Sequence, residues 1–556
     1  MNVAEAVCQA LVAEGVRLTA GITGTSVGHI GDALMSRPEI QMCYTRQERV
    51  AVDICDGYAR VSGMPGVVFT DAGPAAANTM AGIVNSYYDS TPVLFLAGAN
   101  NRFESHRRYT KELPISDVFR SVTKWVSAIE DPSQIGHVIR RAFVQMRSGR
   151  PGPVVLEIPA DVSSMPVNDF RYEPISGRPR IRSAGDPASI EAAVRLLAGA
   201  ERPYVYVGAG VLISEASPEL VELANLLTLP VASTLNGKSA FPENHPLSLG
   251  IGGFSRAAYS SFHATRCAQE ADVVMTLGCG FKEHATREPM SNDIKHIQVD
   301  VDASELHKEQ LADIGILGDA KLVLQQMIEA ARAFLPAERL KPRENELSRV
   351  AGLRREWEAM CEPLLTSNDR PVNPFRVTRE LSRLVNPAQT IVLHDSGSVR
   401  GSTCQHYPAT TPRGFIGFGV ASSLGWSLGA AIGAKIASPD KLVVTIMGDE
   451  AVGETGLDLE TAARTEIPIL VILKNNRTSR DTKGGPSPKL SAIRAKQVSN
   501  FCALAESLGV KAFFVDDPEK LSGTISRAMT YVKSGKPAFV EVVTKRVPTS
   551  LVRLWK

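Results

Sequence analysis

The sequence predicts an α/β protein of three domains, each built on a central, mainly parallel sheet. Three observations lead there. The 556 residues are too many for one compact core and fit about three domains of ordinary size. Apolar, β-branched runs of strand length alternate with helical stretches along the chain. The segment LVVTIMGDEAVGETGLDLETAARTEIPILVILKNN holds two such runs, 442–447 and 467–473, around a helical stretch at 457–464. Two apolar runs flanking a helix make a parallel βαβ unit, and right-handed crossover sets both strands pointing the same way.

In chain order, the first block covers 1–165. MNVAEAVCQALVAEGV carries Glu5 and Glu14 and no basic run, so it reads as an amphipathic helix of the mature fold and not as a leader. Strands follow at Gly66–Thr70, 92–97 and 153–158, with a helix at 75–87. A polar, Pro/Arg-rich stretch at 164–186 reads as a linker. The second block, 187–345, has a helix at Pro187–Gly199 and a strand at Pro203–Val207. The turn Gly208-Ala209-Gly210, a helix at 218–227 and strands at Val273–Leu277 and 294–299 come next. The charged stretch 339–346 reads as a second linker. The third block, 360–556, holds a strand at 390–393, a Gly/Ala-rich stretch at 425–436, the βαβ unit and a strand at Ala538–Val543.

Composition excludes several classes. A hydrophobic share of 44% with 22% charged residues is that of a soluble globular protein. A net charge of +2 gives no reason to expect nucleic acid or an acidic membrane surface. No apolar run reaches the roughly 18 residues of a membrane span. The eight cysteines are scattered without a C-x-x-C pair, which speaks against zinc and for a reducing compartment, the cytoplasm.

The βαβ unit carries the first chemical signal. Asp449 and Asn476 each follow a strand on one edge of the sheet, the edge where open α/β sheets bind ligands. One carboxylate with one amide suits a hard cation that also holds phosphate oxygens, such as magnesium. Gly-Asp and Asn-Asn are also common turn dipeptides, so on these residues alone both readings stand.

A second stretch bears on the choice: TRQERVAVDICDGYARVSGMPGVVFTDAGPAAANTMAGIVNSYYDSTPVLFLAG. It contains Glu48, the run Asp56-Gly57-Tyr58-Ala59-Arg60, the loop Gly73-Pro74 to Asn78, and Asp89-Ser90-Thr91-Pro92. With SGRPGPVVLEIPADV and the βαβ unit, it resembles the thiamine diphosphate (ThDP) enzymes of the acetolactate synthase and 2-oxoacid decarboxylase branch, over nearly the whole chain. The resemblance implies pyrimidine-binding, central Rossmann-like and diphosphate-binding domains, in that order. It implies ThDP and Mg2+ as cofactors. Glu48 is the implied catalytic residue, its carboxyl bonded to the aminopyrimidine ring so that the ring's imino form can take the thiazolium C2 proton. Asp449, Asn476 and the backbone carbonyl of Thr478 are the implied metal ligands. Ser396, Gly397 and Ser398 match the family's diphosphate-contacting turn. Gly73, Asn78, Ser423, Gly448, Glu450 and Ala451 belong to the same cofactor surface, and Leu424 matches the bulky apolar residue that holds the two rings bent. The pyrimidine block of one subunit is expected to face the diphosphate block of another, in a homodimer or homotetramer.

The chain departs from that pattern at several places. Glu450 stands where relatives have a glycine, and a carboxylate near a diphosphate is unfavourable unless Lys474 or Arg477 offsets it or it points away. Lys111 stands where an amide is usual and would favour an anionic small-molecule substrate. Thr25 and Ser26 put hydroxyls beside that substrate pocket. Gly280 replaces an arginine used with flavin, which argues against FAD, and the Gly208-Ala209-Gly210 turn alone is weak evidence for a nucleotide. The basic loop 477–489 and the tail VPTSLVRLWK are read as a site mouth and a lid, or equally as solvated basic faces. His29, His106 and His406 read as structural or surface residues and not as catalytic ones. The expected activity is decarboxylation and carboligation of a 2-oxoacid, as in acetolactate synthase. The alternatives are an oxalyl-CoA or 2-hydroxyacyl-CoA lyase, a sulfoacetaldehyde acetyltransferase, an aryl 2-oxoacid decarboxylase, or, on account of Glu450, a catalytically weak cofactor-binding homologue.

Overall fold

The computed structural model describes residues 1–254, 259–281, 290–291, 293–417, 419–477 and 498–547. Three six-stranded sheets follow one another along the chain, and every strand pair in them is parallel. The first contains β1 (Leu18–Ile22), β2 (Gln41–Tyr44), β3 (Gly66–Thr70), β4 (Val93–Ala99), β5 (Trp125–Ala128) and β6 (Val154–Pro159), in the order β2-β1-β3-β4-β6-β5. The second contains β7 (Pro203–Val207), β8 (Val231–Ser233), β9 (Ser248–Ile251), β10 (Val273–Leu277), β11 (Lys295–Asp300) and β12 (Ile314–Leu317), in the order β12-β11-β10-β7-β8-β9. The third contains β13 (Thr390–His394), β14 (Phe415–Ile416), β15 (Leu442–Gly448), β16 (Ile469–Asn475), β17 (Lys511–Val515) and β18 (Ala538–Val543), in the order β14-β13-β15-β16-β18-β17.

The first and third sheets therefore share one topology. In each, the chain reverses direction across the sheet between its first and third strands. The middle sheet has the dinucleotide-fold order, with its reversal between β7 and β10. Ligands of open α/β sheets bind at these reversals, beyond the strands' carboxyl ends. Loops 23–26 and 71–73 lie at the first such point, and loop 395–398 and the strand-to-helix junction 448–450 at the third.

One helix pair joins the first and third sheets. The helix Glu48–Ser62 packs along the helix Trp426–Ala437 through glycines. A Cβ on Gly57 would lie 2.2 Å from the Ala430 carbonyl oxygen, and one on Gly433 would lie 1.9 Å from that of Ile54. Trp426 Nε1 donates to Asp56 at 3.1 Å, and the Arg60 guanidinium lies 4.9 Å from the Trp426 ring centre. One hydrophobic core runs through both blocks here.

Three expectations change. Residues 339–346 are no plain linker: a 3-10 turn at Ala337–Leu340 leads into the helix Glu344–Leu365. Glu344 and Glu346 favour that helix start through the backbone N–H groups left free there. The helix expected at 75–87 is two, Pro74–Asn78 and Met80–Tyr88. The helix expected at 457–464 is preceded by another, Asp449–Thr455, so Asp449 and Glu450 form a first helical turn and not a loop.

Candidate active site

Glu48 opens its helix beyond the carboxyl end of β2, half-buried, and Asn78 Nδ2 donates to its Oε2 at 3.0 Å. The next residue, Arg49, is buried and crosses to the third block. It donates to Glu454 Oε2 at 2.8 Å, to Ser423 Oγ at 2.9 Å and to the Leu424 carbonyl oxygen. Ser423 Oγ also reaches the Ala81 carbonyl at 3.4 Å. The Glu48–Asn78 pair of the first block thus stands at the Ser423–Leu424 turn of the third within a single chain.

Around Glu48's neighbour loops the predicted pocket residues meet on a carboxylate that sequence reasoning did not single out, Asp71. Ser26 donates to Asp71 Oδ1 through its backbone N–H at 2.9 Å and its hydroxyl at 2.5 Å. Lys111 Nζ lies 2.6 Å from Asp71 Oδ2 and 3.5 Å from Thr25 Oγ1. Burial pushes the Asp71 carboxyl up, but the Lys111 and Ser26 bonds outweigh it and hold the group below its ordinary range. The Lys111 charge is thus paired with Asp71. Gly73 is in the left-handed region, φ 65°, and a Cβ there would sit 2.6 Å from the Lys111 carbonyl oxygen. The 110–111 backbone closes directly over the Gly73 loop.

On the third block, Asp395 ends β13 fully buried and accepts from the backbone N–H groups of Ser396 at 2.7 Å, Gly425 at 2.9 Å and Ser427 at 3.0 Å. These bonds fix the Ser396–Ser398 loop against the Leu424 turn. Burial raises the Asp395 carboxyl above its usual range, against the pull of those N–H groups. Gly397 has φ 82°, and the space where its Cβ would stand is open to 4 Å. Ser396 Oγ pairs with Ser422 Oγ at 2.9 Å, and Asn476 Nδ2 reaches Ser398 Oγ at 3.4 Å. Strand pairing of β13 with β15 and β15 with β16 brings Ser398, Asp449 and Asn476 to one edge. Gly448 meets nothing nearer than Val399 at 3.9 Å, so this edge is a hollow and not a packed surface. A carboxylate, an amide and a hydroxyl around open space fit Mg2+ carrying phosphate oxygens. Among the described residues no group of three or more His, Cys, Asp or Glu side chains could hold a metal on its own. Thr478 lies outside the described residues, as do residues 478–489 of the basic loop and 548–556 of the tail.

Glu450 is exposed and Ala451 buried. Lys474 does not offset Glu450: it is buried on β16 and donates to Ser402 Oγ at 2.8 Å, Thr378 Oγ1 at 2.9 Å and Thr403 Oγ1 at 3.3 Å. Burial brings its amine down from 10.5 to about 7. Between those values the unfolded chain holds a proton that the native chain lacks, so Lys474 makes stability rise with pH from about 7 to 10.5. We expect the stability difference between wild type and Lys474→Met, followed by urea unfolding, to change across that window by on the order of a few kcal/mol and to be flat below it.

Of the three histidines, His406 is half-buried and stacks on Trp357, while His29 and His106 are exposed. Asp53, one turn after Glu48, is fully buried 3.4 Å from Arg49 Nε; burial above all pushes its carboxyl to about 8.

A cavity of about 170 Å³ lies at the reversal of the middle sheet, lined by the middle block together with Ser90 and Arg150 of the first and Arg400 and Val420 of the third. The Gly208-Ala209-Gly210 turn lines it, but the glycines also serve packing. A Cβ on Gly208 would lie 2.1 Å from the Gly278 carbonyl oxygen, and one on Gly210 would lie 2.6 Å from Gly278 Cα.

Three families match in chain order. They are the thiamine pyrophosphate enzyme N-terminal TPP-binding domain over residues 1–119, the central domain over 190–327 and the C-terminal TPP-binding domain over 395–542. A probable acetolactate synthase large subunit of Methanocaldococcus jannaschii is 32% identical over 98% of this chain and 92% of its own length. One of Methanococcus aeolicus is 31% identical over 95% of this chain and 90% of its own. The acetolactate synthase isozyme 3 large subunit of Escherichia coli K12 is 30% identical over 97% and 94%. With three domain matches in order and relatives covered nearly end to end, the chain belongs to the thiamine diphosphate enzymes and is an enzyme of their acetolactate-synthase-like branch.

Proposed function

We propose that the chain is a Mg2+-requiring decarboxylase and carboligase that acts on a small 2-oxoacid. The observation that carries this reading is the meeting of two half-sites, the Glu48–Asn78 pair and the Ser423–Leu424 turn, bridged by Arg49. Bound there, ThDP supplies the carbon nucleophile and electron sink that decarboxylation of a 2-oxoacid needs.

The protein's own part is positional and protonic. Asp449, Asn476 and Thr478 are assigned to Mg2+. Ser396, Gly397, Ser398, Gly448, Glu450 and Ala451 are assigned to the diphosphate end, with the exposed Glu450 side chain directed away. Leu424 and Ser423 are assigned beneath the rings, and Gly73 and Asn78 border the pyrimidine. Glu48 holds a proton at the pyrimidine end and exchanges it with the ring nitrogen. Thr25, Ser26 and Lys111 face the substrate. The Lys111–Asp71 pair is neutral as a unit and presents an ammonium edge, which suits a singly charged carboxylate better than a sulfonate or a CoA polyphosphate.

The relatives' names call them large subunits, so a homodimer or homotetramer, with room for a further subunit, is the proposed assembly. No helix among the described residues is long and apolar enough to cross a membrane. The eight cysteines, all free, agree with a cytoplasmic setting. The test is a panel of 2-oxoacids, acyl-CoA compounds and sulfonates, assayed for carbon dioxide and ligated product. We expect carbon dioxide and a 2-hydroxy-3-oxoacid from a simple 2-oxoacid. Turnover confined to a CoA thioester or a sulfonate would replace this substrate class.

A further inference from the structure

A second cavity, of about 270 Å³, lies where the first block, the segment after it, the middle block and the third block meet. Five arginines line it against two carboxylates, Asp89 and Glu215. Two of the five are matched. Arg60 is held by Asp56 at 2.6 Å and Asp89 at 3.0 Å, and Arg182 by Asp319 at 3.0 Å. The other three are not. Among the described residues Arg180 donates only to the Ile213 carbonyl, at 2.8 Å. Arg413 donates to the carbonyls of Val61 at 3.1 Å and Leu212 at 3.2 Å. Arg147 makes no hydrogen bond or ion pair among the described residues. The remaining carboxylate, Glu215, stands 3.7 Å from Arg413 and 3.9 Å from Arg182, with its side chain 60% exposed. Counted together, four carboxylates, Asp56, Asp89, Asp319 and Glu215, stand against the five guanidiniums, which leaves a surplus of one positive charge, on the side of Arg147, Arg180 and Arg413. Burial depresses Arg180 and Arg413, and for Arg180 the neighbouring Arg182 adds to it. The cavity is thus a partly dehydrated space with surplus N–H donors.

We propose that this cavity is a binding site for a compact oxyanion of phosphate chemistry, inorganic phosphate or a small phosphate monoester, gripped by Arg147, Arg180 and Arg413. The surplus is positive, and three guanidiniums reaching in from different segments match an oxyanion with several oxygens better than a monocarboxylate. The site is separate from the ThDP half-sites and does not depend on the substrate proposed above. It adjoins the cavity at the reversal of the middle sheet, but Arg147 and Arg413 line only this one. Because Arg147 precedes β6, Arg180 lies between the blocks and Arg413 precedes β14, a bound anion ties three parts of the chain together.

The test is equilibrium dialysis of labelled inorganic phosphate against the full chain, with ThDP and Mg2+ saturating and ionic strength held with chloride. We expect about one phosphate per chain, at least tenfold weaker binding in Arg147→Gln and in Arg180→Gln, and unchanged binding in the surface control Arg195→Gln. The Arg147 side chain has no bonding partner among the described residues, so Arg147→Gln should keep the wild-type unfolding temperature in chloride. A small phosphate monoester competing for the same site separates the two sources by relative affinity. No saturable phosphate binding by wild type, or equal binding by wild type and both site variants, would overturn the proposal.

Discussion

Glu48→Gln is expected to lower turnover by about two to four orders of magnitude while leaving ThDP affinity within a few-fold of wild type. Gln has the shape of Glu and can still accept from Asn78, whose Nδ2 is 3.0 Å from the present carboxylate. What it cannot do is hold and release a proton. Most of the cofactor surface assigned above belongs to the third block, so binding should survive a change confined to the first. Steady-state turnover with a 2-oxoacid, together with a ThDP titration of the same variant, separates the two effects. Unchanged turnover would reject Glu48 as the proton-exchanging group.

The second large effect is on the join between blocks. Gly433→Val is expected to cost more than about 3 kcal/mol of stability and to abolish turnover with it. The added Cβ would lie 1.9 Å from the Ile54 carbonyl oxygen and 2.7 Å from the Tyr58 backbone nitrogen, both in the middle of a helix and unable to swing aside as a side chain can. The helix carrying Glu48 would be pushed off the helix that begins beside Leu424. Gly199→Ala is the control, since a Cβ there meets nothing within 4 Å. Urea unfolding and turnover of both variants give the comparison. A Gly433→Val protein as stable as wild type would mean that the two helices do not pack as described.

Much of this fold is legible in the sequence because inner strands of parallel sheets are apolar on both faces. Gly66–Thr70, Pro203–Val207, Val273–Leu277 and Ala538–Val543 stand out as short apolar runs and are strands over those same bounds. Edge strands carry no such signal. Gln41–Tyr44 and the two-residue Phe415–Ile416 pair on one side only and are short or mixed in polarity, so nothing in the pattern marks them. The site divides in the same way. Glu48, Asp449 and Asn476 sit in motifs that can be read along the chain. Asp71 and Asp395 matter through partners 30 or more positions away, Ser26 and Lys111 for one and Gly425 and Ser427 for the other. Lys474 looks like a charge available to the site, and only its three hydroxyl partners reveal that it is spent inside the core.

The central claim is that two half-sites of this chain's blocks hold ThDP through Mg2+ at Asp449 and Asn476. Calorimetric titration of the cofactor-free protein with ThDP, with and without Mg2+, for wild type and Asp449→Ala tests it most directly. The account predicts saturable binding to wild type that requires Mg2+ and falls at least tenfold in Asp449→Ala. Absence of binding to well-folded wild type, or binding that ignores both Mg2+ and the loss of Asp449, would contradict it.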